Sequence, residues 1–115
     1  MHKDVITRKE AHVKNREHLT VFEYPSFSDL VEIIYAELDG RHPSSGFIIN
    51  EKCDETYLVY EGKGKIYMDG RITEFQAGDV VPIKRGTKYY CEGEKMKFFC
   101  TITPKWRVED EKLIE

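Results

Sequence analysis

Cysteine is scarce. The chain has only Cys53, Cys91 and Cys100, an odd number with no C-x-x-C pair. This spacing excludes a disulfide framework and a zinc ribbon, and the three thiols are expected to be free and partly buried. Long apolar runs are also missing. None approaches the roughly 20 residues of a membrane helix. The opening MHKDVITRKE lacks the apolar stretch of a signal peptide, so no membrane association and a cytoplasmic location are expected. There is no excess of positive charge: 18 Lys and Arg face 21 Asp and Glu, for a net charge of -3. The signs are interspersed, which argues against nucleic acid as a partner. Histidine is thin too. Of four, His2, His12 and His18 fall in the first twenty residues.

What is present is a series of short β-type stretches separated by turns. Residues 1–30 read as a polar N-terminal arm with one short strand. Val31–Leu38 is β-branched and aromatic, the composition that suits a pleated surface. Asp39 to Pro43 reads as a loop, which makes His42 a solvated loop histidine. Strands are predicted over 46–50, 56–60, 65–68, 72–75, 80–83, 88–91 and 96–102. Asp69-Gly70 is a type I′ hairpin signal. Lys84-Arg85 reads as a solvated tip. Residues 104–115 read as a charged tail, a turn of helix or an arm. Many short strands with glycine turns and no long helical pattern give an all-β sandwich or barrel.

Two motifs sharpen this. Glu55, six intervening residues and Gly62 form the first, in the text ETYLVYEG. Gly78 and Gly86, in GDVVPIKRGTKYY, fall at the two glycines of the second. With the hairpin GKGKIYMDGRITEFQAGD between them, residues 32–103 resemble the cupin superfamily. The resemblance implies a cupin-type double-stranded β-helix, or jelly-roll, barrel over 31–103.

The departures from the family pattern bear on chemistry. Metal-holding cupins supply H-x-H and a glutamate from the first motif and a histidine from the second. Here the H-x-H slots fall on Ile49 and Glu51, or on Ile48 and Asn50. The second-motif histidine is Tyr89, its proline is Lys84 and its asparagine is Gly93. Only Glu55 survives. Imidazole suits transition metals, so no metal cofactor is expected. The remaining oxygens suit only a weak or non-standard divalent ion.

Strand alternation puts Tyr57 on the face of Glu55, and Cys91 on the face of Tyr89. A barrel mouth lined by Glu55, Tyr57 and Tyr89 would hydrogen-bond a small polar, sugar-like ligand. Asn50, Glu51 and Trp106 complete the candidate ligand contacts, although a Trp in that position also suits a seal on the barrel end. Two readings follow. One is a ligand-binding barrel without chemistry. The other is a sugar isomerase, epimerase or lyase with Glu55 and Tyr89 as the acid-base pair. A metal-dependent enzyme with non-standard ligands ranks third. Resembling proteins often dimerise through N-terminal strands, and Phe22, Tyr24, Phe27 and Leu30 give the arm apolar groups for a homodimer.

Overall fold

The computed structural model describes residues 4–115; the start of the arm, with His2, lies outside them. The described residues form nine strands: β1 (His12–Asn15), β2 (Leu19–Glu23), β3 (Glu32–His42), β4 (Phe47–Asn50), β5 (Asp54–Met68), β6 (Arg71–Gln76), β7 (Val80–Ile83), β8 (Tyr89–Thr103) and β9 (Glu111–Ile114). Short 3-10 turns occupy Arg8–Glu10 and Val108–Asp110. All pairings are antiparallel, and β8 lies between β3 and β5 over most of its length. The sheet curls on itself into the expected all-β barrel.

The curl depends on one row of glycines. Gly93 on β8 is paired with Gly40 on β3 and with Gly64 on β5. A Cβ on Gly64 would lie 2.5 Å from the Glu92 carbonyl oxygen and 2.8 Å from the Phe75 ring, and one on Gly93 would lie 2.8 Å from the Leu38 carbonyl oxygen. The three long strands therefore bend together at this corner and run on into the opposite wall. Gly64→Ala should remove about 1–3 kcal/mol of stability, because the new methyl meets backbone and a packed ring. A urea denaturation midpoint that stays unchanged would show that the corner tolerates a side chain.

Bulges beside this corner reverse which residues face inward. On β8 the buried positions run Tyr89, Cys91, Gly93, then Met96, Phe98, Cys100 and Ile102. Lys95 is the added residue, at a φ of 47°. On β5 the ladder shifts between Val59 and Glu61, so Glu55, Tyr57 and Val59 face inward before the shift and Ile66 after it. An uninterrupted strand would put one half of each set in solvent.

Several expectations change. The predicted loop at Asp39 to Pro43 is strand as far as His42, because Gly40 belongs to the corner and not to a turn. The pairs 56–60 with 65–68, and 88–91 with 96–102, are each one bent strand. The arm holds two strands, which extend the sheet beyond β3. The tail makes a 3-10 turn and then β9, paired with β4. Asp69-Gly70 does form the tight hairpin, with both φ angles positive.

The interior is apolar, with Leu38, Ile66, Phe75, Val81, Met96 and Phe98 all buried. Cys53, Cys91 and Cys100 are free and fully buried. Outside, Phe22 and Tyr24 are occupied by their own chain. Phe22 packs on Tyr35, and Tyr24 accepts a 2.7 Å bond from Arg8. Phe27 and Leu30 are exposed. No helix among the described residues is long and apolar enough to cross a membrane.

Candidate active site

A cavity of about 130 Å³ opens between the two walls at the end away from the glycine corner. Val21, Ile34, Phe98 and Ile102 give its lining apolar stretches. The polar groups come from both walls and from both ends of the chain: Arg16 beside β1, Glu32 and His42 on β3, Glu55 and Tyr57 on β5, Tyr89 on β8, and Trp106 and Glu111 from the tail.

Glu55 is 8% exposed. The Cys100 thiol, 3.8 Å away, is its hydrogen-bond donor among the described residues. A carboxylate in such surroundings is poorly solvated. Burial pushes its pKa up to about 7, the negative charge of Glu111 adds to the rise, and the thiol opposes it. Glu55 therefore holds its proton close to neutrality. Glu111 is itself raised by burial, while the Trp106 indole and the charge of Arg16 pull it back.

His42 follows the opposite course. Burial, and then the positive charge of Arg16, lower it to about 4. It is thus a neutral imidazole with a free lone pair at physiological pH. The described residues include no hydrogen-bond partner for its ring. Tyr57 and Tyr89 are both buried, and burial raises both phenols far above their ordinary value. They remain neutral donors. The Tyr57 ring is fixed on Phe98 at a centroid distance of 4.5 Å.

Trp106 brackets the mouth. Its backbone N–H donates to Glu32 Oε1 at 3.2 Å and its indole N–H to Glu111 Oε1 at 3.2 Å. Lys14 lies 5.7 Å from the indole ring centre and pairs with Glu23 at 3.1 Å.

Glu55, Tyr57, Tyr89 and Trp106, singled out from sequence, are thus brought to one cavity. Asn50 and Glu51 are not on its wall. Asn50 ends β4 and turns inward to cap the next turn, its Oδ1 accepting the backbone N–H groups of Lys52 and Cys53 at 2.9 Å each. Glu51 is exposed in that turn. His42, Arg16, Glu32 and Glu111 were missed as site residues. For His42 a signal existed: it shares the even-numbered face of Glu32, Ile34 and Leu38. Nothing local marked Arg16 or Glu111, because a hairpin and a tail strand bring them in.

The positions at which resembling barrels supply H-x-H and the second-motif histidine carry no histidine here. Among the described residues no three His, Cys, Asp or Glu side chains gather in a metal-holding group. Of the alternative H-x-H positions, Ile48 is buried and apolar and Asn50 is engaged in its turn.

No family model and no curated protein matches the chain. Solved structures do. A Streptomyces PAC13 variant with uridine superposes with a TM-score of 0.90 at 18% identity, covering 99% of this chain and 92% of that one. Pac13 is described as a unique nucleoside dehydratase. An RmlC-like cupin from Shewanella frigidimarina gives a TM-score of 0.74 at 14% identity, covering 94% of this chain and 96% of that one. KdgF from Halomonas sp. gives 0.72 at 13% identity, covering 88% and 94%. The protein has the fold of the small single-domain cupins.

Proposed function

We propose that this protein is a lyase that binds a nucleoside in the barrel mouth and removes water from its sugar by acid-base catalysis. The observation that carries the reading is the meeting, in one cavity, of a neutral imidazole and a protonated carboxyl. His42 falls to about 4 and Glu55 rises to about 7. Burial keeps each group in its neutral form, so near neutrality the imidazole can accept a proton and the carboxyl can give one. The nucleoside class comes from the uridine-bound neighbours of the same fold.

The step needs a carbon whose C–H bond is acidified by an adjacent carbonyl. His42 takes that proton. The electron pair moves toward the carbonyl oxygen, which faces Arg16, a cavity cation with no ion pair among the described residues. The pair then forms the C=C bond as the C–O bond to the neighbouring hydroxyl breaks. Glu55 supplies the proton with which that oxygen leaves as water. His42 returns its proton to Glu55 through solvent, so no oxidant or reductant is needed. Tyr57 and Tyr89 donate hydrogen bonds to the remaining hydroxyls.

Mass spectrometry of the protein incubated with nucleosides oxidised to a carbonyl on the sugar tests this directly. The expected product is lighter by one water. A change of stereochemistry at constant mass would point to an epimerase instead. If no nucleoside is altered and none raises the melting temperature, the reading fails.

A further inference from the structure

The cavity has a second polar end, which the chemistry above does not use. Glu32 starts β3 and shares one cross-strand row with Ile102 and Glu55: both carboxyl residues are paired with Ile102, from opposite sides. Two strand spacings separate them, so their Cα atoms lie roughly 10 Å apart. That is about the reach from the sugar of a nucleoside to the far edge of its base.

The carboxyl group of Glu32 is held, not free. Its Oε1 accepts the Trp106 backbone N–H at 3.2 Å. Its Oε2 has no hydrogen bond among the described residues, and the side chain lines the cavity. Near it stand Glu23, whose carboxylate is taken by Lys14 at 3.1 Å, and the indole of Trp106. A carboxylate oxygen can only accept from a ligand. The fixed, half-buried oxygen is therefore complementary to an N–H or O–H donor.

Resting on the nucleoside reading, we infer that Glu32 is the base-selecting residue, accepting the ring N–H of a pyrimidine whose N–H lies between two carbonyls, as in uracil. Cytosine has a lone pair at that ring nitrogen and would set acceptor against acceptor. N3-methylation removes the donor and adds bulk. A site built to take a hydrogen bond rejects ligands that lack it, because its own buried group is then left unpaired.

Calorimetric titration of the intact protein with uridine, 3-methyluridine and cytidine tests the assignment. Uridine should bind at least about tenfold tighter than either of the others, the scale of one lost hydrogen bond to a charged group. Glu32→Ala should weaken uridine to the level of 3-methyluridine and leave 3-methyluridine itself little changed. Glu32→Gln, which keeps the shape and the Trp106 contact, should recover part of the uridine affinity. Equal binding of all three ligands by the unmodified protein would overturn the inference and leave the nucleoside reading standing. So would a preference that survives in Glu32→Ala. Failure of every nucleoside to bind would remove both. The comparison within the unmodified protein holds even if a variant fails to fold.

Discussion

Glu55→Gln should lower turnover by about 10²–10⁴-fold, the usual loss when a positioned proton donor is removed. The substitution keeps the shape of the buried side chain and its place opposite Cys100, but it has no proton to give to the departing hydroxyl. Binding should change far less than rate, since an amide still hydrogen-bonds the ligand. In the unmodified protein, turnover should follow a bell with limbs near pH 4 and pH 7, set by His42 and Glu55. The required form has the carboxyl protonated and the imidazole neutral, and it dominates between those limbs. Loss of the limb near pH 7 in Glu55→Gln, with the limb near pH 4 retained, identifies the group. A variant with unchanged turnover would remove Glu55 from the reaction.

The second large effect is on stability, measured by denaturant unfolding of His42→Gln and Glu55→Gln from pH 4 to pH 8. Glu55 moves from an ordinary 4.5 to about 7 on folding. Folded protein therefore holds a proton that unfolded chain has lost. The stability due to Glu55 is complete below pH 4.5 and declines as pH rises to about 7. His42 moves from 6.5 to about 4. Its contribution is complete above pH 6.5 and declines as pH falls toward 4. Each shift corresponds to about 3 kcal/mol. The two slopes oppose one another over most of this range, so the unmodified protein should show a nearly flat profile. His42→Gln should expose the decline with rising pH. Glu55→Gln should expose the opposite, with stability climbing by a few kcal/mol from pH 4 to 6.5. Parallel profiles for both variants would show that neither group is perturbed as described.

The sequence revealed the barrel because its turns are local. Asp69-Gly70 declares a hairpin without help from the rest of the chain, and the two glycine-containing motifs mark corners. Glu55, Tyr57 and Tyr89 were legible because inward-facing positions repeat every second residue within one unbroken segment. The limits of that rule are also clear. Lys95 and the shift near Tyr60 reverse the alternation, and only the neighbouring strands fix where they fall. His42 followed a glycine that looked like a turn, because Gly40 is crowded by the side chain of the distant His18 and paired with the distant Gly93. Asn50 stands out in the sequence because it falls at an alternative H-x-H slot of the resembling motif. Its oxygen is instead taken by two amides three residues or fewer away.

The row of three glycines also governs how a ligand can get in. Since β3, β5 and β8 each pass from one wall to the other, the walls cannot part like the halves of a shell without breaking all three strands. Traffic must go through the rim, past the β1–β2 hairpin and the β4–β9 pair. These are short elements held on one side, and they are the parts of a protein that open at least cost. Arg16, Trp106 and Glu111 ride on or beside those rim elements, whereas His42, Glu55 and Tyr89 belong to the long strands. Reactive groups on a rigid frame and ligand contacts on a pliant border let the border exchange ligands while the acid and base keep their separation.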